Sequence, residues 1–285
     1  MDARLQRRVQ RYGWDLAAGT YESLWQASLA GPHAALLDSA ALAPGERVLD
    51  VACGTGLVTL PAARAVGPNG QVIGVDIADR MLDALRQCAA AAGLLQVAAA
   101  RMDAEQLALP DGSVDVVLCA LGLMYLPDPE QALREIKRVL RPGGRTVLAV
   151  WGERARCGWA PLFGIVDAEV RSEVCPLFFS LGQGDALSRL CRSGGLSVYA
   201  DQRLTGTLDY ANGREACDAA FAGGPVALAW QRFDEPTRER ARTHYLDAIA
   251  NWQQSGSYRV PAEFVVVSAA TPSVLGATTV VPSPP

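Results

Sequence analysis

The chain has 285 residues, half of them hydrophobic and a fifth charged, the balance of a globular protein with a sizeable core and not of a disordered or fibrous one. A formal net charge of -4, without a basic stripe and with Lys137 as the single lysine, argues against a nucleic-acid partner held by its phosphates. The seven cysteines are odd in number and form no C-x-x-C pair, so neither a disulfide framework nor a zinc site is signalled; with no apolar leader and no long apolar run, no membrane span and a cytoplasmic location are expected.

Residues 1–44 read as a helical N-terminal lid. They are polar at first, aromatic in RYGWDLAAGTYESLWQASL, and closed by Pro44-Gly45. From 45 to 151 the pattern alternates. RVLDVA, QVIGVD, QVAAAR, DVVLCAL and RTVLAV are apolar nearly throughout, as parallel strands covered on both faces must be. Between them lie helices with their own punctuation. In ADRMLDALRQCAAAAGL, Asp79 is the expected cap, Leu82, Leu85 and Ala89 share a face, and Gly93 stops the helix. In DPEQALREIKRVLRPGG, Asp128 caps, Pro129 takes the first helical position, Leu133, Ile136 and Leu140 share a face, and Pro142-Gly143-Gly144 ends it. Strand, helix, strand, repeated, gives an α/β fold with a parallel sheet.

Residues 152–270 are expected to complete the sheet, with helical insertions over its substrate side. RCGWAPLFGIVDAEV is aromatic and irregular; DALSRLCRSGG is a helix, LSVYADQRL a strand, 213–252 helical with Ala241, Tyr245, Ala248, Ile249 and Trp252 on one face, and EFVVVSA the last strand. Residues 271–285 form a tail in which Thr278 to Val281 have the composition to pair with a sheet edge.

The candidate site starts at VLDVACGTGL, residues 48–57. The strand ends near Asp50, and Gly54-Thr55-Gly56 turns the chain into a helix near Leu57 while leaving backbone accessible to another molecule. In an open α/β sheet, ligands bind beyond the carboxyl ends of the strands. Asp76, twenty residues after Gly56, ends the next strand where a carboxylate can accept from two ribose hydroxyls. Asp103 ends the third, within reach of an adenine amino group, or serves as a turn cap. A dinucleotide requires G-x-G-x-x-G here, and its third position is Thr59; Asp50 would also oppose a pyrophosphate. An adenosine joined to an amino acid, as in S-adenosyl-L-methionine, suits these charges better. An NAD(P)-dependent oxidoreductase and a non-methylating binding protein on the same fold remain the alternatives.

VLDVACGTG, VIGVD, RMDAEQLALPDGSVDVVLCALGLMYLPD and ALREIKRVLRPGG together resemble the ordered motifs of class I S-adenosylmethionine-dependent methyltransferases, particularly the UbiE/COQ5-like, or type 11, group, over about residues 45–151. Ala52 stands where many members have glycine. The resemblance implies a Rossmann-like seven-stranded sheet of order 3-2-1-4-5-7-6, flanked by helices, with the seventh strand antiparallel and a helical cap. It implies that Asp50 and the backbone of Ala52, Cys53, Gly54 and Gly56 hold the methionine end, that Asp76 takes the ribose, that Ile77 and Met81 take the apolar side of the nucleoside, and that Asp103 and Ala104 meet adenine. Cys119 would contribute backbone near the amino-acid moiety, or be a small core residue. The expected activity is methyl transfer to an O, N or C atom of a small apolar or aromatic molecule. The partners are this acceptor and, as an option, a second copy in a homodimer. Tyr21, Trp25, Tyr125 and Trp151, with Trp159, Phe178 and Phe179, are candidates to line its pocket. His33 and His244 lack a neighbouring acid, so no catalytic base is assigned and no metal is expected.

Overall fold

A computed structural model describes residues 3–170 and 178–272. Its centre is an eight-stranded sheet of β1 (Arg47–Val51), β2 (Gln71–Asp76), β3 (Val97–Arg101), β4 (Val114–Ala120), β5 (Leu140–Trp151), β6 (Ser197–Tyr210), β7 (Gln253–Gln254) and β8 (Ser257–Ala270), in the order β3-β2-β1-β4-β5-β8-β6. The order is the expected one. The extra strand is β7, two residues that turn back on the start of β8 through Ser255 and Gly256. β8 runs antiparallel between β5 and β6, and the other central pairings are parallel.

Period-two alternation sends successive side chains to opposite faces. Val48, Val116, Leu118, Val147 and Ala149 pack on one face against Leu36 and Ala40 of α2 (Tyr21–Ala40, following α1, Ala3–Ala17) and Ala62, Ala63 and Val66 of α3 (Thr59–Val66). Leu49, Val51, Val117, Cys119, Leu148 and Val150 face the other way. They belong to the larger core with Leu133 and Ile136 of α5 (Pro129–Val139, after α4, Asp79–Ala91), with α6 (Pro161–Val170), and with Leu187 and Cys191 of α7 (Ala186–Ser193). α5 begins as its sequence prescribes: Asp128 accepts a 2.9 Å hydrogen bond from the Gln131 amide, and Pro129 sits in the first turn.

Several expectations need correction. Leu140 is the first residue of β5 and not the last of α5, because the chain turns extended there. Asp79 lies inside the first turn of α4 and Ala78 is its cap; the Asp79 carboxylate pairs instead with Arg11 and Arg101. α3 starts at Thr59, two residues later than expected. The helical stretch 213–252 is broken into α8 (Gly213–Cys217), a π turn at Asp218–Ala222, α9 (Ala227–Arg232), and α10 (Glu235–Ile249). Gly223-Gly224-Pro225 and the extended Phe233-Asp234 interrupt it. Of its proposed face, Ala241, Tyr245 and Ile249 are buried, while Ala248 and Trp252 are only partly so. The expected edge pairing of Thr278 to Val281 lies outside the described residues.

Candidate functional site

The bare loop between β1 and α3 is held by two devices. Ala52, Gly54 and Gly56 all have positive φ, of 55°, 54° and 100°; two are glycine, and Ala52 adopts the left-handed conformation despite its Cβ. Gly56 is also a matter of space, since a Cβ there would lie 2.5 Å from Leu85 Cδ1. Below the loop, Asp50 is buried and its Oδ2 accepts a 2.6 Å hydrogen bond from the Thr59 hydroxyl. The residue that breaks the dinucleotide pattern therefore has a task of its own. Asp50 Oδ1 and Thr55 Oγ1 are buried with no hydrogen-bond partner. Such groups are rare and mark a place where a ligand or water completes the bonding.

The carboxyl ends of β1, β2 and β4, with the segment following β3, line a cavity that is partly open to solvent. Seven expected cofactor residues line it: Ala52, Gly54, Asp76, Ile77, Met81, Asp103 and Ala104. Asp50, Cys53, Gly56 and Cys119 stand behind this first layer. Cys119 is fully buried, and the residues that reach the cavity from the end of β4 are Ala120, Leu121 and Gly122. A Cβ on Gly122 would fall 2.5 Å from Ala52 Cβ and 2.9 Å from Cys119 Sγ, so this crossing of two loops requires glycine.

Asp76 accepts from the Gly54 amide through Oδ2 and from the Ala78 amide through Oδ1, each at 2.9 Å. It thereby ties the β1 loop to the start of α4. Burial pushes its carboxyl above the usual range, against those amide bonds, and pushes Asp50 up to about 7, against the Thr59 hydroxyl. Asp103 has a double role: its Oδ1 caps the Glu105 amide at 2.9 Å, and its Oδ2 lies 2.8 Å from Arg7 Nε.

That arginine was not legible as a site residue. Arg7, Gln10 and Trp14, spaced three and four apart on one face of α1, form a cavity wall; the spacing was the available signal. α1 is fastened there by Arg7 to Asp103 and Glu105, by Arg11 to Asp79, and by the Arg80 amide donating to Asp15. Gln6 Nε2 adds a bond to the Tyr125 carbonyl.

Trp14, Tyr21, Leu121 and Tyr125 separate this cavity from a second, smaller one, whose wall also includes Trp25, Leu29, Trp151, Trp159, and Leu162. All four expected acceptor residues, Tyr21, Trp25, Tyr125 and Trp151, thus come together around the second cavity, and Trp159 joins them. Their rings are mutually packed, Trp151 on Trp159 at 4.6 Å and Trp25 on Trp151 at 6.2 Å between centroids. Phe178 and Phe179 lie behind, against Trp159 and Phe163. No charged side chain is among the described residues lining the second cavity.

His33 lines neither cavity, and burial pulls it down to about 4, so it is neutral near pH 7. His244 lies on the exposed side of α10. Burial raises the thiols of Cys119 and Cys191 to about 12, which makes them poor nucleophiles. Glu263, the most deeply buried acid of the β8 edge, is occupied by Arg203 and Arg156. Among the described residues, no group of His, Cys, Asp and Glu is placed to hold a metal, and no helix is long and apolar enough to cross a membrane.

Known proteins resemble this chain in sequence and in fold. The model of the methyltransferase domain family matches residues 49–148. The ubiquinone/menaquinone biosynthesis C-methyltransferase UbiE of Teredinibacter turnerae is 31% identical over 216 residues, 75% of this chain and 82% of that protein. The nocamycin O-methyltransferase of Saccharothrix syringae is 39% identical over 132 residues, 46% of this chain and 47% of that one. Among solved structures, the [4+2]-cyclase SpnF aligns with a TM-score of 0.65 at 19% identity, covering 94% of this chain and 97% of its own. That likeness concerns the fold alone.

Proposed function

Because the chain belongs to the UbiE-like family of class I S-adenosylmethionine-dependent methyltransferases, we propose that the cavity at the strand ends is its cofactor chamber and the aromatic cavity beside it the acceptor chamber. One observation carries this reading: acids stand at the chamber's ends, Asp76 and Asp103 on its wall and Asp50 beneath the loop with an oxygen left unpaired. Asp76 and Asp103 suit a ribose and an adenine amino group, while Asp50, Thr55 and the exposed backbone of Ala52 and Gly54 suit a cationic amino-acid end. Ile77, Met81 and Ala104 supply apolar contact for the nucleoside. A dinucleotide fits worse, since Asp50 would oppose its pyrophosphate and Thr59 fills the place of a close-packing glycine.

S-adenosylmethionine supplies a methyl group on a sulfonium, whose positive charge disappears on transfer. The protein's part is alignment and exclusion of water, which needs no covalent intermediate. α1 closes the first chamber through Arg7, Gln10 and Trp14, and we read residues 1–44 as the lid, 45–151 as the cofactor core, and the helices between 211 and 256 as part of the acceptor cap. The uncharged wall of the second chamber favours an uncharged, ring-bearing acceptor, methylated at carbon or oxygen as the relatives' names describe for them. Among the described cysteines none is disulfide-bonded, which supports a reducing compartment.

Calorimetric titration with S-adenosylhomocysteine and with NADH tests the proposal. The expected result is heat with the first and none with the second. The reverse pattern, or silence with both, overturns it.

A further inference from the structure

Two of the four tryptophans around the second chamber share an anomaly. The indole nitrogens of Trp25 and Trp159 are buried and have no hydrogen-bond partner, in side chains only 6% and 3% exposed. Buried tryptophans ordinarily place this N–H on an acceptor, because leaving it unmade forfeits the bond it has in water. Here two fail to do so on the wall of one cavity, with ring centroids 6.5 Å apart and planes inclined at 71°. Trp25 Nε1 also abuts bare backbone: a Cβ on Gly223 would sit 2.8 Å from it. Among the described residues lining the chamber there is no carboxylate and no histidine, so the unsatisfied polar capacity on these two rings consists of donors alone.

We propose that Trp25 and Trp159 are the specificity-determining residues of the acceptor chamber, their indole N–H groups donating to oxygen on an otherwise apolar, ring-bearing acceptor. The inference rests on the assignment of this cavity as the acceptor chamber. It deepens that assignment by adding a requirement. The acceptor carries a carbonyl or hydroxyl oxygen, and a hydrocarbon of the same shape binds more weakly because it forms neither hydrogen bond. A cationic acceptor finds no counter-charge among the described residues lining the chamber. An N–H donor on that oxygen would also favour it in a negatively charged form, so that an enolic or phenolic acceptor loses its proton more readily without a protein base. The selectivity follows a known asymmetry, in which a site built around hydrogen bonds discriminates strongly against an analogue lacking the polar atom.

The test uses the full chain saturated with S-adenosylhomocysteine and two probes, α-tetralone and tetralin, which differ by one carbonyl oxygen. Equilibrium dialysis should show the wild type holding α-tetralone roughly five- to tenfold more tightly than tetralin, the scale of one or two buried neutral hydrogen bonds. Trp25→Phe and Trp159→Phe keep an aromatic ring and remove the N–H. Each should lower that ratio severalfold while leaving tetralin binding nearly unchanged, and the double variant should bring it close to one. A wild-type ratio near one, variants that weaken both probes equally, or no binding of either probe would each overturn the proposal. Binding of S-adenosylhomocysteine to the same samples separates this failure from failure of the cofactor reading, because the first chamber can fill normally while the probes are not told apart.

Discussion

The hydroxyl of Thr59 donates to Asp50 Oδ2 at 2.6 Å across the first turn of α3, and this bond is the one partner given to a carboxylate buried beneath the glycine loop. Thr59→Val keeps the shape and removes the donor. It should cost about 1 to 3 kcal/mol of stability, the range for a buried polar group stripped of its partner, and Thr59→Ser should recover most of that. Equal denaturation midpoints for wild type and the valine variant would deny the bond any role in stability.

The same carboxyl sets a pH dependence. Asp50 is held near 7 in the folded chain, above its ordinary carboxylate value. A group raised by folding contributes stability that is complete below its unfolded pKa, and this is lost as pH rises through the folded one. The ligand-free protein should therefore lose this increment between about pH 4 and pH 7. Affinity for S-adenosylhomocysteine should run the other way, since its ammonium favours the ionised carboxylate. It should tighten from about pH 6 to about pH 7.5 as the Asp50 carboxyl ionises. Asp50→Asn should flatten the rising limb. Calorimetry across this range is the check, and an unchanged slope in the variant would assign the dependence elsewhere.

Asp76 faces the first chamber while both its oxygens already accept amide hydrogen bonds from Gly54 and Ala78. Asp76→Ala should weaken S-adenosylmethionine binding by about 1 to 3 kcal/mol and also lower the melting temperature, because the loop after β1 loses its tie. Should affinity stay at the wild-type value, the ribose role is excluded, whatever happens to stability.

Ala52 and Gly122 meet where the loops after β1 and β4 cross. Gly122→Ala places a methyl 2.5 Å from Ala52 Cβ and should destabilise by about 1 to 3 kcal/mol through overpacking. Ala52→Gly removes both the strain of a 55° φ and the opposing methyl. The double variant should be less destabilised than the sum of the two single changes, by at least about 0.5 kcal/mol. Strict additivity in chemical denaturation would show that the two positions do not press on each other.

Arg7 binds α1 to the far end of the first chamber through Asp103 and Glu105. Its ion pair with Asp103 is about a third exposed on each side, so it adds little to global stability and is screened by salt. Arg7→Ala should speed release of S-adenosylhomocysteine severalfold with a small change in melting temperature, and the wild type should approach the variant's rate at high ionic strength. Stopped-flow displacement measures it. Identical release rates at low salt would remove α1 from the gating of the site.

The sequence was sufficient for what depends on local period and punctuation. Alternation of apolar runs with capped helices located the strands, the family resemblance implied their order, and the ends of those strands put Asp76 and Asp103 beside one cavity, because strand ends converge once a parallel sheet is formed. The alternation also has a finer consequence, seen at Cys119: Cys119 turns into the core, while Ala120, at the end of β4, and Leu121 and Gly122, beyond it, reach the cavity. What tertiary structure alone decided is which groups from distant segments face each other. Arg7 on Asp103, Thr59 under the loop as partner to Asp50, and a second chamber assembled from Trp25, Tyr125, Trp151 and Trp159 are contacts of long range or of side-chain direction. They are fixed by how helices pack across the sheet edge. A hydrophobic pattern specifies that a ring is buried, and the packing of its neighbours specifies what its polar atom meets.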